Sequence, residues 1–183
     1  MKNPRILFYD IESAGVNALK ADLGFVIVFG YKWSDESTAK VLTVDRKSLG
    51  KFSDRDLLVK VSQILNEADI AVTHYGSIFD KKFLQGRLMI NHLPPITHPK
   101  MRDTVFGLRA VTNFSSKRLK HVAKILKFRH QKKENNWPVA WFEVMQGNMK
   151  TLKALAVYCK GDVLALEELY GMLKGYVKAW KEE

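Results

Sequence analysis

The stretch Ile6-Leu7-Phe8-Tyr9-Asp10-Ile11-Glu12-Ser13 constrains this chain more than any other. A short apolar run of this kind reads as a buried strand. Its end carries two acids one residue apart. Successive side chains of a strand point to opposite faces, so Asp10 and Glu12 share one face while Tyr9 and Ile11 take the other. Two carboxylates on one face of a core strand repel each other, and burying them uncompensated is costly. A fold that accepts this strand must supply a surface position, a basic partner or a divalent metal for the pair.

The remaining pattern predicts the sheet and helices around it. The first strand is expected over residues 5–11, with a turn-like stretch at 13–17. Gly24 to Trp33 is rich in Val, Ile and aromatics and reads as a second strand, and Lys40 to Val44 as a third, after the polar turn 34–37. Short turns between these three strands predict an antiparallel meander. Ser53 reads as an N-cap for a helix with Leu57, Val61, Ile64 and Leu65 on one side, ending at Asp69. Residues 70–74 form a short fourth strand, Phe79 to Asn91 a helix, and Met101 to Val105 a brief fifth strand. A helix beginning near Ser115-Ser116 carries the stripe Leu119, Val122, Ala123 and Leu126. Residues 135–138 read as a loop, Val139 to Met145 as a short helix, and Met149 to Leu173 as the longest one. The sum is an α/β fold with a mixed sheet flanked by helices, and the 183 residues fit one domain spanning 1–183.

Charge narrows the partner. The formal net charge is +11, from 30 Lys+Arg against 19 Asp+Glu, which favours a polyanion such as nucleic acid. Between residues 117 and 133 no acid offsets Lys117, Arg118, Lys120, Lys124, Lys127, Arg129, Lys132 and Lys133, so this block is expected to follow the phosphates of a strand. No apolar run approaches the roughly 20 residues that span a bilayer, so no membrane partner is expected. Cys159 is the one cysteine, and Met1 to Arg5 leads straight into the first strand without a secretory leader. Both predict a reducing, cytoplasmic setting.

Two further acids extend the carboxylate set. Asp80 stands where the fourth strand gives way to a helix. Asp162 lies four residues after Tyr158, so the two share a helix face with the apolar Leu155 and Leu166, and an acid so flanked tends toward the core side. Gly161 in mid-helix costs roughly 1 kcal/mol against Ala and is consistent with a close backbone approach or with an ordinary surface glycine. Phe25, Phe29, Phe79, Phe83 and Tyr170 read as core. Trp137 and Trp141 are candidates for exposed stacking groups beside the basic block, although tryptophans of short helices usually pack. The five histidines are scattered, with His74 next to Asp80's loop and none paired with Cys159 at zinc spacing. No phosphate-cradling glycine loop or serine nucleophile elbow occurs.

Together, Asp10-x-Glu12 on the first strand, Phe79-Asp80 at a strand-to-helix step and Tyr158-x-x-x-Asp162 in the last long helix resemble the three motifs of the DEDD (DnaQ-like) 3′–5′ exonucleases of the ribonuclease H-like superfamily. The tyrosine marks the DEDDy form, which the proofreading domains of family B DNA polymerases use. Asp103-Thr104 and the helix from Ser116 to Leu126 are similar to small stand-alone members of that kind. The resemblance implies a five-stranded sheet, three strands antiparallel and then two parallel. It implies hydrolysis of phosphodiester bonds from the 3′ end, releasing nucleoside monophosphates, with DNA, single-stranded, ahead of RNA as substrate. It implies that Asp10, Glu12, Asp80 and Asp162 hold two Mg²⁺ or Mn²⁺ ions, hard cations that take carboxylate oxygens. Tyr158 would orient the attacking water, since a phenol of pKa about 10 is a poor base. The DEDDh form is excluded, because Val157 stands where its histidine would be.

Two positions depart from the resemblance. Tyr75 replaces a common Asn, and an aromatic there suits stacking on a base. Ser13 replaces a common Thr and keeps the hydroxyl. Ser13, His74, Tyr75 and Phe79 are thus the expected contacts near the 3′ end, with Lys124 and Lys127 further along the strand. Rival readings are a nucleic-acid-binding module that kept the fold without catalysis, an exonuclease directed at RNA, and an endonuclease of the same superfamily.

Overall fold

The computed structural model describes residues 3–130 and 137–180, with nothing said of the side chains of 137 and 138. Strands β1 (Ile6–Gly15), β2 (Gly24–Trp33) and β3 (Lys40–Thr43) come first. Helices α1 (Arg46–Gly50) and α2 (Arg55–Asn66), strand β4 (Ile70–Thr73), helix α3 (Asp80–Ile90) and strand β5 (Lys100–Asp103) follow. Helices α4 (Thr104–Val111), α5 (Leu119–Ile125), α6 (Trp137–Met145) and α7 (Met149–Leu173) complete the chain, with a 3₁₀ turn at Lys178–Trp180.

The five strands run in the order β3-β2-β1-β4-β5. The pairs β1–β2 and β2–β3 are antiparallel, and β1–β4 and β4–β5 are parallel. The fold is therefore the expected mixed α/β sheet flanked by helices. Parallel strands need crossover connections, and α2 and α3 supply them. β1 is central and covered on both faces. Leu7, Tyr9 and Ile11 enter a core shared with Leu58, Val61 and Leu65 of α2 and Leu84 and Leu88 of α3. Phe8 takes the opposite face, against Val163, Leu166 and Tyr170 of α7. Each such buried side chain contributes about 1.5–3 kcal/mol against exposure.

Several boundaries differ from the sequence expectation. β1 does not end at residue 11, and residues 13–15 are ladder rather than turn: Ser13 pairs with Val26 and Gly15 with Gly24 after a bulge between Glu12 and Ser13. The small and polar residues Ser13, Ala14, Gly15 and Asn17 read as a turn, and the bulge lets the first three continue the ladder with β2. The fifth strand stops at Asp103 instead of Val105. The Asp103 carboxylate accepts from the Val105 amide at 3.0 Å and so starts α4, a helix the pattern does not announce. α1 is likewise absent from the sequence expectation and is capped by Asp45, which accepts from the Ser48 amide at 2.6 Å.

The second helix begins at Arg55, one residue later than a Ser53 cap implies, and ends at Asn66 rather than Asp69. Asp54, its N-cap residue, is diverted: its carboxylate receives the Val26 amide and two bonds from Arg87 in the interior. His74 lies just past β4, α5 is shorter than expected, and residues 137–138 belong to α6 rather than to a loop. Gly161 has open space where its side chain would be, so no backbone approaches it. The close approach occurs at Gly30 instead.

Candidate active site

The acids meet because α7 comes down on the face of β1 that carries them. Asp10 and Glu12 share that face with Phe8, whose packing against Val163 and Leu166 fixes the position of the helix. Opposite Asp10 in the β1–β2 ladder sits Gly30. A Cβ there would stand 2.7 Å from Cys159 Sγ, so only a glycine lets α7 approach this closely. The Cys159 thiol then lies 3.6 Å from Asp10 Oδ2. Tyr158 and Asp162 flank that cysteine on the same helix, and Leu155 and Leu166 on either side of them are buried, as their spacing implies.

Asp10, Glu12 and Asp162 present carboxylate oxygens that all lie within 4.8 Å of one another. Asp80, the first residue of α3, stands outside this triplet. It lines the same open cleft of about 230 Å³, together with Ile11, His74, Tyr75, Phe79, Trp141 and Tyr158.

The loop from β4 to α3 places Asp80. At Gly76 a Cβ would meet Asp80 Oδ2 at 2.4 Å and Thr73 Cβ at 2.5 Å, so the carboxylate occupies space that only glycine leaves. Asp103, at the end of the neighbouring parallel strand, holds the loop in shape. Its carboxylate accepts from the Tyr75 amide at 3.0 Å, the Ser77 amide at 3.1 Å and the Ser77 hydroxyl at 2.6 Å. His74 Nδ1 is 2.8 Å from the Thr104 hydroxyl. The sequence marks Asp103 without assigning it a role. An Asp-Thr pair at a strand end is an N-cap pattern, but its bonds to a loop 26 to 28 residues earlier leave no local trace.

Negative charge accumulates here. Burial pushes the Asp80 carboxyl well above the usual range, and the charges of Asp10 and Asp103 push it further. Burial raises the Cys159 thiol, aided by Asp10, Glu12 and Asp162. The buried Tyr9 hydroxyl is raised too, by burial first and then by Asp80, Asp103 and Asp10. A cluster of hard oxygen donors under mutual repulsion is the donor set that Mg²⁺ or Mn²⁺ takes, so the residues present fit divalent cations.

The other expected contacts divide. His74, Tyr75 and Phe79 line the cleft, whereas Ser13, Lys124 and Lys127 do not. Ser13 is buried and its hydroxyl donates to the Ala18 carbonyl at 2.5 Å. Lys124 and Lys127 are exposed at the end of α5, and Lys132 and Lys133 lie outside the described residues. Trp141 is not an exposed stacking group: it is half-buried against the main core while lining the cleft. No helix among the described residues is long and apolar enough to cross a membrane.

Comparison with known proteins bears on this arrangement. A family model described as "RNase_H superfamily" matches residues 7–174. A comparison with curated proteins finds no match. Among solved structures, the family B DNA polymerase from the hyperthermophilic archaeon Pyrobaculum calidifontis is similar in fold, with a TM-score of 0.65 at 16% identity. The match covers 91% of the present chain and 24% of the polymerase.

Proposed function

The chain belongs to the RNase H superfamily, and from that premise we propose that it is a metal-dependent 3′–5′ exonuclease of the DEDDy type. Its substrate would be a nucleic-acid strand, DNA ahead of RNA, with nucleoside 5′-monophosphates as products. One observation carries the reading: Asp10, Glu12 and Asp162, far apart in sequence, offer oxygens within 4.8 Å of one another, and Asp80 and Tyr158 line the cleft they border. The similarity to a family B DNA polymerase is a likeness of fold and adds no residue assignment.

In this reading Asp10, Glu12, Asp80 and Asp162 hold two Mg²⁺ or Mn²⁺ ions. When bound, such ions supply charge neutralisation at phosphorus and acidify a coordinated water. The chain's own residues do the rest. Tyr158 offers its hydroxyl to the attacking water and orients it for in-line approach. Asp103 holds the loop that presents Asp80, and Gly30 sets the depth of Tyr158 and Asp162. The half-buried Trp141 and Phe79 wall the cleft on its apolar side.

The test is a panel of 5′- and 3′-labelled DNA and RNA, single- and double-stranded, incubated with and without Mn²⁺. Stepwise shortening of 5′-labelled strands, with immediate release of a labelled mononucleotide from 3′-labelled ones, is expected. Asp10→Ala and Asp162→Asn should abolish it while leaving the protein folded. Cleavage of a circular single strand would instead indicate an endonuclease. Binding without turnover in either metal would indicate a non-catalytic module.

A further inference from the structure

Tyr75, which lines the cleft, stands in a row with two exposed side chains of α4, Arg109 and Phe106. The Arg109 guanidinium carbon of α4 lies 5.7 Å from the centroid of the Tyr75 ring and 5.7 Å from that of Phe106. Arg109 also donates from Nη2 to the Tyr75 hydroxyl at 3.3 Å. Tyr75 is 38% exposed and Phe106 46%, so both rings present apolar surface to water. Arg109 itself is exposed, and among the described residues it pairs with no carboxylate. Tyr75 also sits at φ 68°, a left-handed conformation that a bulky side chain adopts at a cost. The surroundings enforce it, because the Tyr75 amide is bound to Asp103 and its carbonyl accepts from the Phe79 amide at 3.0 Å. Strain of this kind, held in place beside a cleft, points to use.

Resting on the exonuclease reading above, we propose that Tyr75, Arg109 and Phe106 form a stacking platform for the unpaired bases next to the 3′ end. The platform makes the protein select single strands over paired ends. Every base has a π face, so aromatic rings and a planar guanidinium accept any sequence. The exposed guanidinium of Arg109 suits a backbone phosphate. A base inside a duplex is already stacked and cannot be taken up without unpairing. Arg109 and Phe106 lie outside the three acidic motifs.

The experiment measures binding of short fluorescent oligonucleotides in EDTA, where no turnover occurs, and separately their turnover in Mn²⁺. The arms are single-stranded DNA, single-stranded RNA and blunt duplex DNA. Tyr75→Ala and Arg109→Ala are each expected to weaken single-strand binding about 5- to 100-fold and to leave duplex binding within about twofold. Tyr75→Phe should retain most of the affinity, and Arg109→Lys should lose it despite keeping the charge. A 2-aminopurine near the 3′ end should be quenched by the wild type and not by Tyr75→Ala. Arg109 is on the surface, so its variants test the idea even if Tyr75→Ala fails to fold. Unchanged single-strand affinity in Arg109→Ala, or equal losses for duplex and single strand, would overturn the platform. If the binding contrasts hold but no oligonucleotide is degraded, the exonuclease reading fails and the platform stands. If degradation is normal but the contrasts are absent, the platform fails and the exonuclease reading stands.

Discussion

Gly76→Ala isolates the role of one carboxylate without touching its chemistry. Gly76 does not have a positive φ, so alanine meets no backbone strain there and the effect is steric. The new Cβ would stand 2.4 Å from Asp80 Oδ2 and 2.5 Å from Thr73 Cβ, against 3.4–4 Å for ordinary contact. Thr73 lies in the buried β4 and cannot retreat, so the Asp80 carboxylate must move by about 1 Å, a misplacement that costs on the order of 10²-fold when it falls on a catalytic group. Overpacking of this sort costs about 1–3 kcal/mol, partly offset by about 0.4–1 kcal/mol from a stiffer unfolded chain. The expected result is therefore a protein that still melts cooperatively, only a few degrees lower, with kcat down about 100-fold and KM little changed. The assay is steady-state release of mononucleotide from a 3′-labelled strand in Mn²⁺, with a thermal melt of the same sample. A kcat within about threefold of wild type, with the melt lowered as expected, would refute the idea that Asp80's position matters.

Three other outcomes follow from the same geometry. Burial, and then the charges of Asp10 and Asp103, disfavour the ionised form of Asp80, so under metal-free conditions alkaline enough to ionise it the neutral Asp80→Asn should melt higher, by about 2–4 °C per kcal/mol gained, while activity is lost; a lowered Tm there would contradict the penalty. Glu168 accepts from the Arg129 amide, the His130 amide and His130 Nδ1; burial opposes ionisation, but these bonds outweigh it and hold the carboxyl below its ordinary value. Its contribution is then present above the ordinary glutamate range and lost as pH falls through the lowered value, so Glu168→Gln should cost about 1 kcal/mol at pH 7 and converge with wild type in acid melts. Tyr75→Asn should raise stability by about 1 kcal/mol, because asparagine tolerates the left-handed backbone, and should weaken single-strand binding; a fall in Tm would argue against strain at this residue.

What is legible in the sequence follows from local periodicity. The alternation in Ile6 to Glu12 places the acids on one face, and the four-residue step from Tyr158 to Asp162 with Leu155 and Leu166 places the second half of the cluster on the buried side of α7. The sheet's three antiparallel strands are legible from short polar turns. The features that escape a sequence reading depend on partners distant along the chain. The bulge after Glu12 is defined by pairing with β2, α4 is started by Asp103, and Gly30 matters only because Cys159 packs on it. Ser53 reads as the cap, but the N-cap residue is Asp54, whose carboxylate is claimed by Arg87. Gly161 is unusual for a helix interior and faces open space. The Tyr75–Arg109–Phe106 row joins two segments about thirty residues apart and carries no periodic signal.

The central claim is that these carboxylates form a divalent-cation site acting on phosphodiesters. Calorimetric titration of the metal-free protein with Mn²⁺, in the presence of a nucleoside monophosphate, tests it most directly. The account predicts saturable binding of about two ions per chain, severely weakened in Asp10→Ala and in Asp162→Ala. Absence of saturable binding, or binding unaltered by both substitutions, would contradict it.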